Sequence, residues 1–256
     1  MNKLDVTNSG FMDRREANHI ALTPISFLSR TADIYPDRTA VIYGNLRYSW
    51  AEIYDRAVRL ASALVKAGIK PGEVVTGMGP NVPAMFEAHF GVAMAGAVLN
   101  TLNTRLDVST IAYILDHADT KILITDAAFG ATMKEALEQS PNKSLAIIDI
   151  VDSQDSDSAN GSRLGEIEYE AFIAGGDSDY AWQMPADEWS AMALNYTSGT
   201  SGRPKGVVYH HRGAYLMAMG TIPVWNMPMH PTYLYVVPMF HCNGWGHAWM
   251  MAILAG

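Results

Sequence analysis

The chain has 256 residues, of which 49% are hydrophobic, a proportion that supplies a sizeable core and argues against an intrinsically disordered protein. Its formal net charge is −8, with 26 acidic and 18 basic residues, which excludes the basic surface typical of nucleic-acid-binding proteins. The one cysteine, Cys242, cannot form an internal disulfide, and no apolar run reaches the ~20 residues of a membrane span, so we expect a cytoplasmic protein.

Periodicity and turn residues predict alternating helices and strands after a lead-in over residues 1–22. Gly44-Asn45 is a two-residue hairpin signal, and Ser49 with Glu52 forms a capping box for a helix that Gly68 ends. The other predicted helices cover Thr23–Ile34, Pro83–Ala95 capped by Asn81, the stretch around Ile111 capped by Asp107 or Ser109, Ala127–Glu138, Glu166–Ile173 and His210–Thr221. The predicted strands are Ala40–Tyr43, Leu46–Tyr48, Val74–Met78, Val98–Leu99, Lys121–Thr125, Leu145–Ile150, Trp189–Tyr196 and Thr232–Val237.

This alternation predicts an α/β fold, with parallel-rich sheets flanked by helices. Ligands bind such sheets beyond the carboxyl ends of the strands. The acidity is concentrated in residues 151–189, which hold ten acidic residues and one basic residue, Arg163. We expect this segment to be an acidic surface loop and connector, with Val151–Gly165 flexible.

A stretch rich in glycine and hydroxyl groups, Asn195–Tyr209, reads N-Y-T-S-G-T-S-G-R-P-K-G-V-V-Y. Its glycines allow backbone N–H groups to converge on an anion, its hydroxyls can bind phosphate or magnesium, and Lys205 adds a positive charge. It departs from the Walker A motif because Pro204 precedes the lysine and Gly206 follows it. The stretch therefore favours a phosphate-binding loop over the alternative of a solvated turn between two strands.

A second stretch, Pro238–Trp245, reads P-M-F-H-C-N-G-W and follows the predicted strand Thr232–Val237, which would place it at the carboxyl end of that strand. His241 can donate a hydrogen bond to a carboxylate or phosphate oxygen, and Trp245 offers a flat apolar wall. The alternatives are a core aromatic cluster, or a metal site that includes His247, although no spacing of a known zinc class is present.

Both stretches carry a family resemblance. T-S-G-T-S-G-R-P-K-G resembles the phosphate-loop signature of the adenylate-forming (AMP-binding) superfamily, with Ser201 where the commoner form has Thr. P-M-F-H-C-N-G-W resembles the second core motif of acyl-CoA synthetases. Val207–Leu216 together with His241–Met251 resembles the branch that contains methylmercaptopropionate–CoA ligases and medium-chain fatty acyl-CoA ligases. The resemblance runs from about Thr23 to the end and implies the first half of the large N-terminal domain.

The resemblance implies an ATP-dependent acid–CoA ligase that forms an acyl-AMP intermediate and uses ATP, Mg²⁺ and coenzyme A, with a short- or medium-chain acid as substrate. His241, Lys205 and Thr197 would be catalytic, Thr197 would also contact magnesium, and His241, Trp245 and Gly246 would bind the acid. The residues that would hold the ATP phosphates are Thr197, Ser198, Gly199, Thr200, Ser201, Gly202 and Lys205.

Members of this superfamily are considerably longer than this chain. The resemblance therefore implies that a C-terminal domain is absent, that residues 23–256 form a partial domain, and that they are inactive alone. A homodimer is compatible with the full-length protein. The alternatives are a non-catalytic nucleotide-binding module, an adenylation domain that loads a carrier protein, and a luciferase-type oxygenase.

Overall fold

A computed structural model describes residues 13–197 and 202–256, with the backbone alone at positions 242 and 243. The helices are α1 (Ile25–Ile34), α2 (Trp50–Lys66), α3 (Pro83–Met94), α4 (Val108–His117), α5 (Gly130–Gln139), α6 (Ser156–Ala159), α7 (Tyr169–Ala174), α8 (His211–Trp225) and α9 (Cys242–Leu254). The strands are β1 (Thr39–Tyr43), β2 (Leu46–Ser49), β3 (Val74–Met78), β4 (Val98–Thr101), β5 (Thr120–Asp126), β6 (Ala146–Ile150), β7 (Ile167–Glu168), β8 (Ala191–Tyr196) and β9 (Gly206–His210).

The main sheet has seven strands in the order β7-β6-β5-β3-β4-β8-β9. Every neighbouring pair is parallel except β8 and β9, which are antiparallel. The predicted α/β fold with a parallel-rich sheet flanked by helices is confirmed. Because β4 and β8 are parallel neighbours, the segments that leave their carboxyl ends emerge on the same edge of the sheet.

Local sequence signals account for several element boundaries. β1 and β2 form the predicted hairpin, and Gly44 at its tip has a φ of +49°, which a glycine adopts without steric cost. The Ser49 side chain accepts from the Glu52 N–H, while Glu52 accepts from the Ser49 N–H, so the predicted capping box is present. Asp107, and not Ser109, caps α4 by accepting from the N–H of Thr110 at 2.9 Å.

A buried ionic cluster ties α2 to α3 and α7. The Glu87 side chain is fully buried, and its carboxylate accepts from Nε of Arg56 at 2.7 Å and from the Tyr169 hydroxyl at 2.7 Å. The same guanidinium binds Glu170 at 2.6 Å, but the Glu170 side chain is 67% exposed. Arg56 therefore joins one carboxylate in the core to one at the surface.

Three details of the sequence prediction are wrong. Asn81 does not cap α3, which begins after Val82 without a side-chain cap. Thr232–Val237 is not a strand, and its Leu234 and Val236 are 80% and 72% exposed. β9 precedes α8 where no strand was expected.

Contacts of Asn81 explain why Thr232–Val237 does not form a strand. Nδ2 of Asn81 donates to the carbonyls of Tyr235 and Val237 at 2.9 and 3.0 Å, and its Oδ1 accepts from the Met239 N–H at 2.8 Å. One side chain thus bonds backbone groups that a neighbouring strand would otherwise pair.

The acidic segment supplies β7, an edge strand of the main sheet. The part expected as a flexible loop contains α6, and β7 and α7 follow it. The N–H groups of Leu164 and Gly165 donate to the Asp149 carboxylate at 3.0 and 2.8 Å. Within the described ranges, no helix is long and apolar enough to cross a membrane.

Candidate functional site

The β8–β9 hairpin holds the two ends of the predicted phosphate loop together. Tyr196 pairs with Gly206, and the Thr197 N–H donates to the Lys205 carbonyl at 3.0 Å. The side chains of Thr197 and Lys205 are exposed, so the Lys205 ammonium is accessible to an anion. Gly202 has a φ of +138°, a conformation that favours glycine. The other predicted ATP-binding residues, Ser198, Gly199, Thr200 and Ser201, lie outside the described ranges.

Helix α4 contacts the hairpin on both sides of the loop. Nδ1 of His117 lies 2.7 Å from the Tyr196 hydroxyl, and the Arg203 guanidinium sits 5.3 Å from the centre of the Tyr113 ring. Desolvation raises the pKa of Tyr196 to about 12, so its hydroxyl keeps its proton at neutral pH. These contacts fix the flanks of the loop relative to the sheet.

His241 lies in a turn that leads into α9. Its N–H donates to the Pro238 carbonyl at 3.1 Å, and its own carbonyl accepts from the N–H groups of Gly244 and Trp245 at 2.8 and 3.2 Å. The prediction that His241 follows the end of a strand is wrong, because the preceding residues are held by Asn81 instead of a strand partner. The imidazole is exposed.

A cavity of about 380 Å³ lies between the phosphate-loop hairpin and the His241 turn. It brings together Thr197 and His241, two of the three predicted catalytic residues, whereas Lys205 does not line it. Apolar side chains make up much of its wall, and none of the described residues that line it carries a carboxylate. The cavity therefore has no fixed negative charge in its described lining that would repel an anionic ligand.

Asn195 supplies a buried donor in the lining of this cavity. The residue is 7% exposed, and its Nδ2 has no hydrogen-bond partner among the described residues. An unpaired buried N–H group is costly to the folded state. Asn195 thus carries one amide donor that no described residue satisfies, beside the strand end that leads into the phosphate loop.

Trp245 and Gly246 lie outside this cavity. Trp245 is 1% exposed and packs edge-on against His89 and Trp249, with ring centres 5.3 and 5.9 Å away. A Cβ atom at Gly246 would come within 2.5 Å of Sδ and Cε of Met217, the flexible end of a side chain on α8. Their predicted part in an acid-binding pocket stays a prediction.

The structure gives no support to a metal site at His247. Nδ1 of this histidine lies 2.9 Å from the Tyr233 hydroxyl, and desolvation lowers its pKa. Across the part of the chain that the structure describes, no group of three His, Cys, Asp or Glu side chains could hold a metal ion. The predicted magnesium contact of Thr197 would thus depend on phosphate oxygens and water for the remaining ligands.

Three side chains that support or line the site had no role in it predicted from the sequence: Asn81, Thr101 and Asn195. Asn81 and Thr101 lie more than a hundred residues before the His241 turn, so the sequence around them does not indicate that they contact it. Asn195 is the first residue of the predicted phosphate-loop stretch, and that position is the feature of the sequence that could have indicated its place in the site.

Comparison with known proteins adds a family match. Residues 28–256 match the model of the AMP-binding enzyme family. The chain is 46% identical over 248 residues to the peroxisomal acetate/butyrate–CoA ligase of Arabidopsis thaliana, a match that covers 94% of this chain and 44% of that protein. It is 42% identical over 253 residues to the acetate–CoA ligase of Humulus lupulus, with 96% and 44% covered.

The fold is similar to that of the inhibitor-bound N-terminal domain of FACL13 from Mycobacterium tuberculosis. The TM-score is 0.74 at 23% identity, and the match covers 91% of this chain and 55% of that domain. The chain spans less than half the length of the two curated relatives.

Proposed function

The chain belongs to the AMP-binding enzyme family, and on that premise we propose that the full-length protein is an ATP-dependent acid–CoA ligase. The observation that carries the proposal is the cavity that Thr197 and His241 share, with no carboxylate among its described lining residues. Both relatives named above are acid–CoA ligases, and each matches nearly all of this chain.

In the proposed reaction a carboxylate oxygen of the acid attacks the α-phosphorus of ATP. The bond between the α-phosphorus and the oxygen that bridges it to the β-phosphorus breaks, and pyrophosphate leaves. The thiol of coenzyme A then attacks the acyl carbon and loses its proton to water, while AMP leaves. The first step builds charge on phosphate oxygens, so catalysis depends on positioning and on neutralising that charge.

The residues of this chain divide that work. The Lys205 ammonium would neutralise charge on the departing pyrophosphate. The loop, from its hydroxyl-bearing residues to Gly202, would bind the phosphates. His241 would donate a hydrogen bond to an oxygen shared between the acid and the α-phosphate. Thr197 would hold its hydroxyl toward magnesium, an ion that supplies further neutralisation of the phosphate chain.

We propose a short- or medium-chain acid as the substrate. The names of the two relatives point to acetate and butyrate, and methylmercaptopropionate remains a candidate from the sequence resemblance. The Arabidopsis relative is peroxisomal by name, so a cytoplasmic location remains a prediction for this protein.

Pyrophosphate release by the full-length protein tests the proposal. ATP, magnesium and a panel of acids that includes acetate, butyrate, methylmercaptopropionate and benzoate would be supplied with and without coenzyme A. We expect acid-dependent pyrophosphate release, acyl hydroxamate when hydroxylamine is added, and acyl-CoA only with the thiol. Because this chain spans less than half of its relatives, we expect no release from the isolated 256 residues.

Lys205→Gln should lower the rate at least tenfold, because it removes a charge next to the leaving pyrophosphate. Lys121→Gln is the matched control: it removes a lysine that is paired with Asp119 near the start of β5, and the rate should stay within about twofold of wild type. If the protein binds ATP but releases no pyrophosphate with any acid, it is a non-catalytic nucleotide-binding module and the ligase proposal fails. Acyl transfer to a carrier protein in place of coenzyme A would indicate an adenylation domain.

A further inference from the structure

One buried hydroxyl connects the two sides of the cavity. Thr101 is the last residue of β4 and is 4% exposed. Its Oγ1 lies 3.1 Å from the carbonyl of Phe240, 3.3 Å from Oδ1 of Asn195 and 3.0 Å from Nε1 of Trp245. Three separate segments of the chain therefore meet at a single oxygen atom.

This hydroxyl acts both as an acceptor and as a donor. The Trp245 indole N–H can only donate, so it occupies a lone pair of Oγ1. The one hydroxyl proton is then within reach of two acceptors, the Phe240 carbonyl and the Asn195 amide oxygen. A serine hydroxyl could make the same contacts, whereas valine has a similar shape to threonine but no polar atom to make them.

The three partners of the hydroxyl are connected to the proposed chemistry. Phe240 directly precedes His241, and Trp245 lies in the first turn of α9, which the His241 turn begins. Asn195 lies in β8, two residues before Thr197 and the phosphate loop. The hydroxyl thus links the strand that carries the loop to the turn that carries the histidine.

We propose that Thr101 is a positioning residue that fixes His241 relative to the phosphate loop, an inference that rests on the proposed ligase function. The contacts of Asn81 support it, because they hold residues 235–239 while Thr101 holds the following residues, 240 and 245. The segment is not paired as a strand, and these two side chains are among the contacts that anchor the His241 turn.

Thr101→Val keeps the branched shape and removes the hydroxyl, which leaves the Trp245 N–H and the Phe240 carbonyl without this partner. A small displacement of a catalytic group lowers the rate by about 10- to 100-fold, so we expect kcat for acyl-AMP formation to fall by that factor. The KM for ATP should change less than about threefold, because the phosphate loop is held by its own hairpin. Thr101→Ser restores the hydroxyl and should return kcat to within about threefold of wild type.

Thr125→Val is the matched control. Thr125 is also a buried threonine near the carboxyl end of a parallel strand, and its hydroxyl has no partner among the described residues. The substitution should leave kcat within about twofold of wild type. Equal losses at both threonines would show that any buried Thr→Val change has this effect, and would overturn the proposal.

A second variant isolates the hydrogen bond. Trp245→Phe removes the indole N–H but keeps an aromatic ring, and the double variant with Thr101→Val should lose less than the product of the two single losses. Independent, multiplied losses would contradict the shared contact. If the wild-type protein releases no pyrophosphate with any acid, the ligase proposal fails. If the wild-type protein releases pyrophosphate and Thr101→Val has the same kcat, the ligase proposal stands and only this inference fails.

Discussion

The two carboxylates that bind Arg56 differ mainly in burial, which allows a direct prediction about stability. The Glu87 side chain is fully buried, the Glu170 side chain is 67% exposed, and both lie within 2.7 Å of the same guanidinium. Removing one partner of a buried ion pair costs about 3–5 kcal/mol, whereas an exposed pair contributes about 0–1 kcal/mol. Because Glu170 still balances part of the Arg56 charge, we expect Glu87→Gln to destabilise by about 3 kcal/mol, at the lower end of the buried range.

Urea unfolding of the full-length protein at pH 7, followed by circular dichroism, measures this difference. Glu87→Gln should lower the unfolding midpoint strongly, and Glu170→Gln should lower the free energy of unfolding by less than about 1 kcal/mol. High salt should erase the Glu170→Gln effect and leave the Glu87→Gln effect largely intact, since buried pairs are screened less. Equal losses from the two substitutions would refute the assignment of this stability to burial.

Three further predictions concern separate parts of the molecule. Asp107→Ala should destabilise by about 1 kcal/mol in urea unfolding, because it removes the cap of α4, and Asp107→Asn should retain most of that stability. Asn81→Ala should lower acid-dependent pyrophosphate release by more than tenfold, because three backbone contacts before His241 are lost; an unchanged rate would contradict this. Burial lowers the pKa of His89 to about 4, below its ordinary value, so the unfolded chain takes up a proton first as the pH falls. The free energy of unfolding should therefore drop by about 2 kcal/mol from pH 7 to pH 5 through this group, and His89→Gln should flatten that dependence.

The sequence predicted elements whose signals are local. The capping box at Ser49 and the hairpin at Gly44-Asn45 depend on residues a few positions apart, and both are present. β9 was missed because Val207, Val208 and Tyr209 are consecutive apolar residues, so the sequence shows no alternation between apolar and polar positions. Thr232–Val237 has the composition of a strand, but no pattern within it reports that a distant asparagine binds its carbonyls.

The same limit applies to the candidate site. The phosphate loop is a continuous motif, and the hairpin that holds its ends lies within the same stretch. The His241 turn is contacted by Asn81 and Thr101, which lie more than a hundred residues away in sequence, so no pattern near His241 indicates these contacts. Trp245 matched a motif, yet its indole is buried against His89, so the matching residue type did not reveal which surface it faces.

The closure of the β8–β9 hairpin also bears on the order in which the site assembles. Its pairing joins residues close in sequence, whereas the contacts that hold the His241 turn span 158 and 139 residues. Closing loops of that length costs roughly 2 kcal/mol more chain entropy than closing the hairpin, and contacts so distant form slowly. During refolding we expect the amides of the hairpin to gain protection from hydrogen exchange before those around Met239. An early intermediate would then present its phosphate-binding half before it acquired the half that meets the acid.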